Sequence, residues 1–138
     1  MRKGAASIRI EWSGEHRFSA AKPDHPSITL DGDGVAGPSP VDGLLASLAA
    51  CVSVDVVDIL AKRRTPVRSL SVDAVGRRVD TIPRRLEHVT LKFAIAGKGI
   101  ERVHAERAVE LAVTKYCSVR DSLRSDVPVE WTVSLEGE

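Results

Sequence analysis

The chain has 138 residues, 43% hydrophobic and 28% charged, with a formal net charge of +1. These totals fit one soluble globular domain over residues 1–138 rather than a disordered chain. A near-zero charge and 4% aromatic content supply neither the basic field nor the stacking platforms of a nucleic-acid binder, nor the charge that holds a protein to an acidic membrane surface.

Residues 1–3 are basic, but a polar, strand-like segment follows where a signal peptide has its apolar core, so no secretion signal is expected. Asp55 and Asp58 interrupt the best candidate for an uncharged span of about 18 residues, so no membrane span is expected either. The expected compartment is the cytoplasm, where cysteines stay as thiols and a disulfide serves catalysis or regulation.

Ile8, Ile10 and Trp12 alternate with polar neighbours over Ala6 to Trp12, which predicts a half-buried strand. A turn at Ser13-Gly14-Glu15 leads to a second strand over His16 to Ala21 and a short third over Ser27 to Leu30, an antiparallel meander. The Gly/Asp run from Asp31 to Pro38 reads as a connector. It lacks the acidic spacing of a calcium loop, and no glycine-rich phosphate cradle joins a strand to a helix.

Ser39, Pro40 and Asp42 form a strong helix start: Ser39 caps, Pro40 takes the first helical position, and Asp42 closes a capping box. The helix should run to about Lys62-Arg63-Arg64, before Pro66, and be long enough to cross the whole molecule. Leu44, Leu48, Cys51 and Asp55 share a face, which Val41, Leu45, Val52, Val56 and Ile59 widen. Gly43, Ala46, Ser47, Ala49 and Ala50 allow close packing, so a mostly buried helix set against a second copy of itself is expected.

Strands over Arg68 to Asp80 and Arg85 to Gly97 form a hairpin. A helix is predicted over Gly99 to Tyr116, a short one capped by Ser118 and ending near Leu123-Arg124, and a last strand over Pro128 to Leu135. The order βββ-α-ββ-α-α-β is an α+β layout.

Cys117 precedes the cap of the short helix, where backbone N–H groups would lower its pKa. Cys51 lies mid-helix in apolar surroundings with Asp55 one turn away, so any activating cation must come from another element. Each cysteine also reads as a small packed hydrophobe, and for Cys51 the spacing alone favours that reading. His16, His25, His88 and His104 are too scattered to complete a zinc set, and none is singled out as a Cys–His partner.

The runs Gly37 to Leu45, Ala49-Ala50-Cys51, Asp55 to Leu60, Gly97-Lys98-Gly99, Arg107 to Leu111 and Lys115-Tyr116-Cys117-Ser118-Val119 occur in that order. Together they make the chain resemble the OsmC/Ohr family of osmotically inducible and organic hydroperoxide resistance proteins. The resemblance covers nearly the whole chain and is closer to the OsmC-like branch than to the best-studied peroxidases. It implies an α+β fold with a long central Cys-bearing helix packed on antiparallel sheets, in an intertwined homodimer with its active sites at the subunit interface. It also implies a thiol-dependent peroxidase that reduces organic hydroperoxides to alcohols. Cys51 would be the nucleophile and pass through a sulfenic acid, and Cys117 would resolve it as a disulfide. An external dithiol, of lipoyl type, would reduce that disulfide, with no bound cofactor or metal.

The family holds its thiolate with an Arg and a Glu. The Glu position falls on Asp42, which also suits the capping box. Nine residues along the same helix place Asp42 about 13 Å from Cys51 on the opposite face, so it would act across a dimer or through another residue. The Arg falls first on Arg17, with Arg9 and Arg120 as alternatives, and each also suits a solvated surface charge. The other readings are a non-enzymatic thiol redox sensor or small-ligand-binding dimer on the same fold, and a structural interaction module with buried thiols.

Overall fold

In the computed structural model, which describes residues 4–136, the chain runs β1 (Arg9–Gly14), β2 (Arg17–Ala21), β3 (Ile28–Asp31), α1 (Pro40–Lys62), β4 (Ser69–Arg78) and β5 (Leu86–Ala96). It continues through α2 (Arg102–Leu111), a π-helical turn (Ala112–Tyr116), α3 (Ser118–Asp121) and β6 (Val129–Leu135). This is the expected α+β order. The basic residues 1–3, weighed above for a secretion signal, lie outside the described residues. The chain falls into two compact units, Met1–Leu44 and Leu45–Glu138.

The first unit is built on the predicted meander, β1-β2-β3, antiparallel throughout. Its first strand departs from expectation. Ile8, Ile10 and Trp12 remain 60%, 52% and 69% exposed. Alternation reports which side chains share a sheet face, not whether another layer covers that face. The Gly/Asp connector is tied down by one residue. The buried Asp31 carboxylate accepts the N–H groups of Asp33 (2.9 Å), Val35 (3.2 Å) and Ala36 (2.9 Å). Gly37 passes so close to β3 that a Cβ there would lie 2.6 Å from the Thr29 carbonyl oxygen.

The capping box at the start of α1 forms as predicted. The Asp42 N–H donates to Ser39 Oγ (3.1 Å), and the Ser39 N–H donates to the Asp42 carboxylate (3.4 Å). The helix ends where Arg64 takes a left-handed conformation (φ 66°) and the Thr65 N–H closes onto the Leu60 carbonyl at 3.0 Å, a Schellman-type stop just before Pro66.

The buried stripe of α1 is Leu45, Leu48, Val52, Val56 and Leu60, one position round from the expected Leu44, Leu48, Cys51 and Asp55. The β4 backbone selects it: Gly76 has no side chain, so Leu45 packs onto it, its methyl carbons 3.0 Å from where a Cβ would stand. Val54 (61%) and Val57 (42%) are left exposed on other faces. Asp55 and Asp58 do not lower the hydropathy enough to exclude a span by composition. The most apolar 18-residue stretch of α1 has a mean hydropathy of 2.1, a value that core helices of soluble proteins share with membrane spans.

In the second unit β4 and β5 form the expected hairpin, while β6 adds parallel to β5. The chain crosses over through α2, the π turn and α3 between them, the kind of connection a parallel neighbour requires. Leu91 and Phe93 of β5 share the buried face of this sheet, opposite Ala74 and Val72 on β4 and Trp131 and Val133 on β6. With the α1 stripe and Ala105, Ala108 and Val109 of α2, they make the core. The α2 helix starts at Arg102 rather than Gly99, whose φ of +78° is left-handed.

Candidate active site

Cys51 lies near the middle of α1 and is half-buried, while Cys117 is buried; both are free thiols. Cys117 is positioned by two local devices. The π turn widens the end of the second helix, and the Cys117 N–H closes it on the Ala112 carbonyl at 2.9 Å, five residues back. Cys117 then leaves helical geometry (φ −74°, ψ 107°) and becomes the N-cap of α3, a role expected of Ser118. Its Sγ accepts the Arg120 N–H at 3.3 Å. The i, i+3 spacing is that of Ser39 and Asp42, so the signal was present with sulfur in place of a hydroxyl.

The fold brings the two thiols near enough that Cys51 acts on the Cys117 pKa. Burial pushes the Cys117 pKa above its ordinary 9.0; the Arg120 N–H acts against this, and the neighbouring Cys51 adds to it. The expected lowering by the helix terminus is therefore overturned. A four-residue helix offers few free N–H groups, and loss of water around the sulfur outweighs them. Cys117 is a thiol at neutral pH.

Beside Cys117 lies a cavity of about 580 Å³, with Tyr116, Arg120, Leu123, Val129 and Trp131 among its walls. A second hollow of about 400 Å³ lies between the later half of α1 (Asp55, Asp58, Ile59, Lys62, Arg63) and Leu111 and Tyr116. Tyr116 borders both. Its place at the end of the π turn was not legible, because the i to i+5 bond has no sequence signature of its own.

The remaining sequence candidates are engaged locally. Asp42 is hydrogen-bonded within the capping box. Arg17, on β2, lies 3.9 Å from Glu15, and its charge helps to lower the Asp31 pKa. Arg9 pairs with Glu11 at 3.2 Å. The Arg120 guanidinium donates to the carbonyls of Arg124 (3.1 Å), Ser125 (3.4 Å) and Val127 (2.8 Å), so it pins the loop after α3. The histidines each have their own partners: His16 has Asp33, His25 the Pro23 carbonyl, His88 Glu130, and His104 Arg63 and Glu101.

A helical thiol facing a helix-cap thiol, in a βββ-α-ββ-α-α-β chain, defines a two-cysteine thiol protein. The chain belongs to the OsmC family: the model of OsmC-like proteins matches residues 31–132. It is similar to protein YhfA of Escherichia coli K12, with 32% identity over 122 residues, 88% of this chain and 91% of YhfA. A crystal structure of a hypothetical protein from Aquifex aeolicus VF5 superposes with a TM-score of 0.81 at 30% identity, covering 96% of this chain and 98% of that one. The organic hydroperoxide resistance protein OhrB of Bacillus subtilis shares the fold at 14% identity, with a TM-score of 0.64 over 94% of this chain and 98% of that one.

Proposed function

We propose that this chain is a thiol-dependent peroxidase that reduces organic hydroperoxides to alcohols, working in the cytoplasm as a homodimer with an external dithiol, such as a lipoyl-type carrier, as reductant. The observation that carries the reading is the meeting of Cys51 and Cys117 across the second unit. Family membership and the fold shared with a hydroperoxide resistance protein support it. The dimer is supported by α1, whose Val54 and Val57 stay exposed opposite a well-buried stripe.

The roles follow from the environments. Cys51 is the nucleophile; its thiolate attacks the distal peroxide oxygen, the O–O bond breaks, and the alkoxide leaves as alcohol after taking a proton. Cys51 is then a sulfenic acid. The Cys117 thiol attacks that sulfur, the S–O bond breaks, and the hydroxyl leaves as water with the Cys117 proton. The Arg120 N–H, already on Cys117 Sγ, stabilises the thiolate character this sulfur gains as its proton leaves. A dithiol then reduces the disulfide by exchange.

The test is a multiple-turnover assay with tert-butyl hydroperoxide and a dithiol. Cys51→Ser should bring turnover to background, and unchanged turnover in that variant sinks the proposal. One observation favours a second reading, a non-enzymatic redox sensor or small-ligand-binding dimer: Asp42 and Arg17, the residues expected to take the places of the family's activating pair, are engaged in the capping box and with Glu15. Oxidation of the thiols once per chain, without further peroxide consumption, would select it.

A further inference from the structure

We infer that the cavity beside Cys117 is the docking site of the reducing dithiol, and that Cys117, rather than Cys51, is the sulfur the dithiol attacks. The inference rests on the two-cysteine cycle proposed above.

Access is the first argument. Among the described residues, the cavity walls come from the segment between Val113 and Ser125 and from Val129 and Trp131 of β6, with none from α1. A molecule held there touches Cys117 without meeting the helix that carries Cys51. Thiol–disulfide exchange is an in-line displacement, so the attacking sulfur must approach along the extension of the S–S bond. For a disulfide between Cys51 and Cys117, an attacker that reaches Cys117 from beyond its sulfur, opposite Cys51, has that approach to Cys117 and lacks it to Cys51. At about 580 Å³ the cavity is of small-molecule size. Leu123, Val129 and Trp131 offer apolar walls for a carbon chain, and Ser118 and Ser125 offer hydroxyls near the thiols.

Leaving-group chemistry is the second. The thiol with the lower pKa leaves faster. Burial raises the Cys117 pKa, which slows a first exchange that expels Cys117. Attack on Cys117 avoids it. One thiol of the reductant loses its proton and bonds to Cys117 Sγ, the protein S–S bond breaks, and Cys51 takes the electron pair and the proton. The second thiol of the reductant then attacks the reductant's own sulfur in the mixed disulfide. Cys117 departs with the Arg120 N–H on its sulfur and is protonated, and the reductant leaves as a cyclic disulfide. Ring closure at high effective concentration drives this harder expulsion.

The experiment separates this inference from the peroxidase reading by making the disulfide with diamide, independently of any peroxide. The oxidised protein is mixed briefly with 2-mercaptoethanol, quenched in acid, alkylated, and mapped by peptide mass spectrometry. The mercaptoethanol adduct should fall on Cys117 and the alkyl group on Cys51, by roughly ten to one. An adduct mainly on Cys51, or equal on both, overturns the inference and leaves the peroxidase reading standing. Failure of diamide to form the disulfide overturns both. A second variant addresses docking itself. Leu123→Trp fills the cavity and should slow reduction of the diamide-made disulfide by dithiothreitol about tenfold; a rate equal to the unsubstituted protein's overturns the docking site.

Discussion

The two units of the chain are held by different physics. In Met1–Leu44 the large apolar side chains of β1 stay in solvent, and order comes from polar devices: the Asp31 carboxylate on three backbone N–H groups, the Ser39–Asp42 capping box, and the Trp12 indole N–H donating to the Glu15 carbonyl at 2.8 Å. In Leu45–Glu138 an apolar core carries the structure, with Leu48, Val52, Val56, Leu60, Val89, Leu91, Ile95 and Val109 fully buried. The thiols belong to the second kind of environment. A sulfur whose proton affinity is raised by desolvation, as at Cys117, needs a wall of side chains that excludes water, and a single three-stranded layer supplies none.

Four substitutions test that contrast. The largest effect is expected from Leu91→Ala, which empties a fully buried site on β5. It should cost about 2–5 kcal/mol in urea unfolding, and a cost below about 1 kcal/mol would mean that the core is not what holds the second unit.

Asp31→Asn should produce a smaller loss with a distinctive pH signature. Hydrogen bonds from Ala36 and Asp33 hold the Asp31 carboxyl below its ordinary 3.8. A depressed folded-state pKa contributes stability above the ordinary value, and that contribution is lost as pH falls through the folded-state value. Melting of the unsubstituted protein should therefore weaken below about pH 4, and that of Asp31→Asn should be lower at neutral pH and flatter across the acid range. Parallel curves would break the account of the first unit.

Ser39→Ala should cost about 1 kcal/mol, by chemical denaturation, through loss of the α1 cap. Trp12→Thr, which removes one exposed hydrogen bond, should have the smallest effect, about 0.5 kcal/mol in a dilute monomer. A larger loss that grows with protein concentration would show that a partner copy covers this strand face.

Much of the architecture was legible from near neighbours. The Ser39-Pro40-Val41-Asp42 start of α1 rests on contacts three residues apart, and its stop beside Pro66 on a missing N–H. Leu70, Val72 and Ala74 alternate along one strand as Val89, Leu91, Phe93 and Ile95 do along the next, and that alternation marks the buried face of the hairpin. The candidate site was legible only in part. Cys51 and Cys117 stand out by type and by their surrounding motifs. The use of Cys117 as its own helix cap, the commitment of the Arg120 guanidinium to three carbonyls, and the placing of Tyr116 between two hollows depend on how the chain turns after Leu111.

What the sequence determined by itself is therefore what local bonding determines: the order of the elements, the ends of α1, and which sheet faces are apolar. The tertiary structure decided which of two neighbouring stripes of α1 is buried, the parallel seat of β6, the exposure of β1, and the meeting of sulfurs 66 positions apart. It also set the proton affinity of Cys117, in the direction opposite to its local expectation. A helix terminus acts through a few nearby N–H groups, whereas desolvation sums over every neighbour the fold brings in, and at this sulfur the sum is larger.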